Sequence, residues 1–235
     1  MRSSLYQRRE ARVVRVVTWN IQIGRPNPDG PPDIGRVVDC LASLHADVHA
    51  LQELDRGQAR SGRIDQPAVI ADALDGQVAF APTVQRGGGG YGIGIVVRGD
   101  ILATEVVALS GTREPRALLI ADVDVGGRRW AIGCTHLSRH RELAGRQLLR
   151  VFDALATRPA PRVLVGDLNL TPREVLPWST AEGYHLVDGS PTHSTRQPEV
   201  TRRIDHVLLS GAIATGATVH RFTVSDHRAV SADLT

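Results

Sequence analysis

Asn20, Glu53, His136, Asp167, Asn169, Asp205, Asp226 and His227 each border a short run of β-forming residues. Asn20 follows Val13 to Trp19, and Glu53 follows Val48 to Leu51 and Gln52. His136 follows Trp130 to Thr135, while Asp167 and Asn169 follow Arg162 to Val165. Asp205 lies near the start of Ile204 to Leu209, and Asp226-His227 come just before Ala229 to Ala232. The end of one strand and the start of an antiparallel neighbour share a rim, so all these groups can converge at one mouth. Carboxylates, amides and imidazoles there suit a hard cation and proton transfer. Mg2+ takes oxygen ligands, typically one or two carboxylates with waters and substrate phosphate oxygens, and Glu53 and Asp226 can supply the carboxylates. Zinc fits less well, because the nine histidines form no His-Glu-x-x-His and no Cys/His cluster has ligand spacing.

The elements that must hold these groups are mostly strands. Gly92 to Val97 and Ala117 to Val125 add to the runs above, all rich in Val, Ile and Leu with turn-forming borders. Val123 to Arg128 reads as a hairpin through Gly126-Gly127. Helical spacing occurs in Asp33 to Leu44, with Asp33 as N-cap, and in Arg139 to Leu155. Gly24 to Pro32, the tetraglycine Gly87 to Gly90 and Gly189 to Pro198 mark loops. The pattern predicts an α/β protein of two sheets packed face to face with helices outside. It forms one domain over 13–235, preceded by an N-terminal extension over 1–12.

Composition removes whole reaction classes. At 235 residues, 42% hydrophobic and 23% charged, the chain is an ordinary globular protein with enough length to bury a core unaided. It contains no lysine, so all 28 of its basic residues are arginine. That excludes a Walker A loop, pyridoxal phosphate chemistry and amine-dependent acyl or Schiff-base catalysis. A net charge of +3 suits an anionic substrate. Cys40 falls in a helix and Cys134 in a strand, which predicts two free thiols. The first residues carry charges where a signal peptide needs an apolar stretch, which predicts a cytoplasmic protein without integral membrane association.

In chain order, the motifs TWNIQ (18–22), LQE (51–53), THL (135–137), GDLN (166–169), RIDHVLLS (203–210) and SDH (225–227) resemble the endonuclease/exonuclease/phosphatase superfamily. The resemblance spans Thr18 to His227 and implies a four-layer α/β/β/α sandwich of two mixed, largely antiparallel sheets. It also implies Mg2+-dependent phosphoester hydrolysis by in-line attack of water, with Mn2+ able to substitute. By that resemblance Glu53 is the main metal carboxylate, with Asn20 and Asp226 in or beside the coordination shell. Asp167 and Asn169 position or activate the water. Asp205 orients His227, and His136 contacts a phosphate oxygen or assists the leaving group. Whether Asp167 or His227 takes the water proton stays open at this level.

Tyr91, Arg113, Arg139 and Arg141 are weaker substrate-binding candidates, since arginines beside a phosphate site can clamp it. Three Trp, three Tyr and three Phe leave little for a single-strand stacking platform, and short spacers leave little room for duplex-embracing loops. The expected substrate is therefore a small-molecule or lipid head-group phosphoester handled by a monomer. A DNA endonuclease or exonuclease, with nucleic acid as substrate, is the alternative, and a catalytically silent binding module the third.

Overall fold

A computed structural model describes residues 12–26, 30–111, 114–194 and 200–235. The extension expected over 1–12 falls almost entirely outside the described residues, and Arg113 falls outside them altogether. Among the described residues, twelve strands form two sheets of six. The first sheet contains β1 (Val14–Asn20), β2 (Val48–Arg56), β3 (Gln77–Arg86), β4 (Gly89–Val97), β11 (Ala214–His220) and β12 (Ala229–Leu234), in the order β11-β12-β1-β2-β4-β3. The second contains β5 (Asp100–Leu109), β6 (Arg116–Val125), β7 (Arg128–His136), β8 (Arg162–Asp167), β9 (His185–Leu186) and β10 (Asp205–Ser210), in the order β5-β6-β7-β8-β10-β9. Helices α1 (Ile34–Ser43) and α2 (Gln66–Ala73) cover the first sheet, and α3 (Arg141–Ala156) and α4 (Pro172–Ala181) cover the second.

The period of two along each strand builds these layers. In β8, Val163 and Val165 point into the core between the sheets, while Leu164 points out under the helices. In β1, Val14 and Val16 face the other sheet, and Val17 and Trp19 face α1. The helices return apolar stripes to those outer faces: Val37 and Leu41 from α1, and Ala144, Leu148, Val151, Phe152 and Leu155 from α3. Asp33 is the N-cap of α1, accepting from the Arg36 amide at 3.0 Å. The result is the α/β/β/α sandwich expected from the motifs.

Two pairs are parallel, β1 with β2 and β7 with β8, each joined by a crossover helix, α1 or α3. Their C-terminal ends therefore share one rim with the first residues of the antiparallel β10. In register, His136 lies opposite Asp167 and Asp167 opposite Asp205.

The strands that sequence patterning misses are β3, β5, β9 and β11, which are the four edges of the two sheets. An edge strand buries less of itself, so its residues need not be apolar: β5 is exposed along most of its length, and β3 carries Pro82, which an edge tolerates. The missed helices, α2 and α4, are short and carry proline in their first turn, Pro67 and Pro172. Gly87 and Gly88 make the β3–β4 turn, whereas Gly89 and Gly90, expected in the loop, belong to β4.

Cys40 and Cys134 are both free. Thiol titration of the unfolded, unreduced protein is expected to find both of them, and a value near zero would contradict the fold.

Two buried histidines also set an acid limit on stability. Burial, helped for His49 by Arg98, lowers the pKa of both His49 and His206 to about 4. The unfolded chain binds these protons below about pH 6.5 while the folded one refuses them. The contribution of these two histidines is therefore whole above pH 6.5 and falls as the pH drops towards 4, by on the order of 3 kcal/mol per histidine at full titration. Urea midpoints at several pH values check this; a midpoint unchanged across that window would contradict it.

Candidate active site

Glu53 is not beyond the end of its strand, as the run Val48 to Leu51 suggests, but inside β2. Pairing with β4 shifts register between Gln52 and Leu54, so Glu53 is the extra residue of a bulge and takes φ +60°. A bulge re-aims a side chain that regular pleating would bury or expose. Here it brings the Glu53 carboxylate to Asn20, the last residue of β1: Asn20 Nδ2 donates to Glu53 Oε1 at 2.9 Å and to Asp167 Oδ2 at 3.2 Å. The other amide atom, Asn20 Oδ1, accepts from the Gln22 amide at 3.1 Å. Asn20 therefore presents nitrogen, not a ligand oxygen, to the carboxylates and ties the two sheets together at the mouth.

Asp167 is the hub. Gly166 approaches β7 so closely that a Cβ there would stand 1.9 Å from the Thr135 carbonyl oxygen, which explains the glycine of GDLN. Beyond the strand end, Asn169 adopts φ +52°, a left-handed conformation that asparagine tolerates. Its amide donates to Asp167 Oδ1 at 3.0 Å and its side chain to the Leu137 carbonyl at 3.0 Å. Asp167 Oδ2 lies 3.3 Å from His136 Nε2 and 3.7 Å from His227 Nε2. The far side of His227, Nδ1, meets Asp205 at 2.9 and 3.1 Å. Ser225, in the β11–β12 connection, ties His227 to the end of β1, donating to the Asn20 carbonyl at 2.7 Å while accepting from the His227 amide at 3.0 Å.

The electrostatics separate the two imidazoles. Burial lowers His136 well below the ordinary range, reinforced by the positive charges of Arg116, His227 and Arg139, so it is neutral. Burial acts the same way on His227, but the carboxylates of Asp205 and Asp167 outweigh it and raise its pKa, so it is a cation. Burial also raises Asp167, with His227 opposing and Asp205 adding. A charged imidazole between two carboxylates, beside a neutral one, gives the mouth a fixed pattern of donors.

The remaining candidates lie around this centre. Asp226 is half-buried and faces His193 Nε2 at 3.7 Å; it forms with His193 and His227 one of two groups among the described residues whose ligand atoms lie within 4.8 Å of one another. Asp167, Asp205 and His227 form the other. Tyr91 sits in β4 under Arg60, whose guanidinium carbon is 4.9 Å from its ring centre, and burial together with Glu53 and Glu114 raises its pKa. Arg139 is near enough to perturb His136, whereas Arg141 is ion-paired with Glu174 of α4.

Two residues of the site escape the sequence reading. His193, in a loop without motif, packs its ring on His227 with centroids 4.4 Å apart. Arg116 opens β6, is almost fully buried, pairs with Glu114 at 3.3 Å and bears on His136. The position of Arg116 at a strand start, like that of Asp205, was the available signal.

The carboxylate oxygens and imidazole nitrogens of these two groups suit a divalent cation of the Mg2+ or Mn2+ type, and Glu53, in neither group, meets Asp167 through their shared donor Asn20 Nδ2. The model of the Endonuclease/Exonuclease/phosphatase family matches residues 17–227. The chain belongs to that family. Members of the endonuclease/exonuclease/phosphatase family are generally phosphoester hydrolases and typically use divalent metal ions. No curated protein sequence matches this chain.

Among solved structures, an endonuclease/exonuclease/phosphatase from Beutenbergia cavernae is 25% identical with a TM-score of 0.78, covering 95% of this chain and 71% of that one. A humanized D. rerio TDP2 with 14 mutations is 21% identical with a TM-score of 0.73, covering 95% and 99%. D. rerio TDP2 complexed with a single-strand DNA product is 19% identical with a TM-score of 0.71, covering 95% and 99%. These likenesses to TDP2 are of fold. Among the described residues no helix is long and apolar enough to cross a membrane.

Proposed function

We propose that this family member is a divalent-metal-dependent phosphodiesterase. The observation that carries the reading is the buried Asp167 carboxylate, shared by His136, a cationic His227 and the Asn20 amide at one mouth. Glu53 and Asp226 are the residues that would hold Mg2+, or Mn2+ in its place. When bound, that ion supplies the positive charge that draws electron density from the phosphoryl oxygens.

The chain's own residues account for the rest. Asp167, fixed by Asn20 and the Asn169 amide, aligns the attacking water and accepts its proton. His227, held by Asp205, directs a charged Nε2 at a phosphoryl oxygen as negative charge builds in the transition state. Neutral His136 donates a second, uncharged hydrogen bond from Nε2, and Arg116 adds a positive charge behind it. The ester oxygen then leaves as water oxygen bonds to phosphorus in line. Asn20 acts here as a positioning residue.

Nucleic acid as the substrate is supported by the fold shared with the D. rerio TDP2 whose structure holds a single-strand DNA product. The decisive assay is hydrolysis of bis-p-nitrophenyl phosphate with Mg2+ or Mn2+. Turnover that EDTA abolishes and added metal restores is expected; turnover indifferent to saturating EDTA, or hydrolysis of p-nitrophenyl phosphate alone, would reject the reading.

A further inference from the structure

The chain has three tryptophans, and two of them, Trp19 and Trp130, are core residues exposed by 0% and 2%. The third, Trp178 on α4, is 45% exposed. It lines an open groove of about 940 Å3 between the N-terminal part of α3 and α4. That volume is at the upper end of small-ligand sites, roughly 300–1,000 Å3, and exceeds what one phosphoryl group needs.

Leu149, Leu170 and Pro177 give the groove an apolar lining, and Arg139, Arg146 and Arg173 surround it. The single ion pair recorded across it joins Arg141 to Glu174, whose carboxylate also accepts from the Thr171 amide and hydroxyl at the start of α4. Arg139, Arg146 and Arg173 are exposed and make no ion pair among the described residues. The groove is tied to the catalytic centre by two of its lining residues: Leu170 follows Asn169 in the chain, and the charge of Arg139 reaches His136.

We propose that this groove holds a single strand of nucleic acid leading away from the scissile phosphate. Its phosphates lie against Arg139, Arg146 and Arg173, and one base stacks on Trp178. The inference rests on the phosphodiesterase reading and names its substrate. Repeated anionic groups separated by flat apolar ones match arginines set around a recessed apolar floor with one exposed indole. A membrane surface would call instead for apolar side chains that project beyond the charges. A total of nine aromatics argues against a stacking platform only on average, because a single exposed indole beside the reaction centre serves one base.

The test is fluorescence anisotropy of a short fluorescein-labelled oligo(dT) with the full chain in EDTA, where no turnover interferes. Contact with three phosphates predicts a slope of log affinity on log salt of about −2, from about −0.7 per single-strand phosphate. Trp178→Ala is expected to weaken binding at least about fivefold and Trp178→Phe to retain most of it, as one stacked base requires. Arg146→Gln with Arg173→Gln should reduce the slope to about −0.7. Hydrolysis of bis-p-nitrophenyl phosphate, too small to reach the groove, should be unchanged in these variants.

Oligo(dT) affinity and slope equal to wild type in Trp178→Ala and in the double arginine variant would overturn the proposal. So would loss of binding to phosphatidylcholine/phosphatidylserine vesicles in those variants with oligo(dT) binding intact, which would make the groove a membrane contact. Wild-type protein that binds oligo(dT) as described but hydrolyses no diester would reject the phosphodiesterase reading while leaving the groove assigned.

Discussion

Glu53→Gln is expected to leave the fold intact and to lower kcat/KM for bis-p-nitrophenyl phosphate by about a thousandfold or more, equivalent to about 4 kcal/mol of transition-state stabilisation. The amide keeps the shape of the side chain and can still meet Asn20 across the 2.9 Å now bridged by a hydrogen bond. It removes the negative charge that a divalent cation requires. Since Glu53 already sits at φ +60° in a bulge, no new backbone cost accompanies the change. Two measurements belong together: thermal unfolding, which should move little, and the metal concentration for half-maximal rate, which should rise steeply. Full activity at the wild-type metal concentration would place the cation elsewhere, for example at the His193–Asp226–His227 group.

His227→Ala is the second large effect, with an expected loss of about 10²–10⁴ in kcat, the range for a positioned proton donor or acceptor. Asp205→Asn should cost nearly as much, because the amide can still accept from Nδ1–H across 2.9 Å but lacks the negative charge that keeps the imidazole protonated, with Nε2 as a charged donor. The double variant should be no worse than His227→Ala alone, since residues that act as one unit lose their effects together. Losses that multiply would assign Asp205 a separate, structural part. Thr192, whose hydroxyl accepts from the Asp205 amide at 3.3 Å, gives a control outside the dyad: Thr192→Val should disturb stability without removing the His227–Asp205 coupling.

The interior strands were legible because burial on both faces forces Val, Ile and Leu into them: β6 carries Leu118, Leu119 and Ile120 in succession, and every one is buried. The edges were not, because nothing requires apolar residues in a strand such as β11, Ala214 to His220, which is exposed through its middle. Among the catalytic candidates, His136, Asp167 and Asp205 were placed by strand ends alone, and pairing in register set them side by side. Arg116 and His193 belong to no motif, and their presence at the mouth depends on contacts between segments distant in the chain. The direction in which Asn20 points its amide depends on the Gln22 amide and on two carboxylates from different sheets, none of which a strand pattern encodes.

Local sequence by itself determined the residue types of the site, the strand ends that carry them, the helices that cross between parallel strands and, through the ordered motifs, the family. Those are properties of short segments, governed by periodicity, capping and turn chemistry acting within a few residues. Only the tertiary structure decided the charge states and the surroundings. His136 is neutral and His227 cationic because one is buried against arginine and the other between two carboxylates brought from β8 and β10. Trp178 is a surface residue and Trp19 a core residue for the same kind of reason: α4 turns its indole into an open groove, while β1 turns its own beneath α1, and burial depends on what the rest of the chain packs against each face.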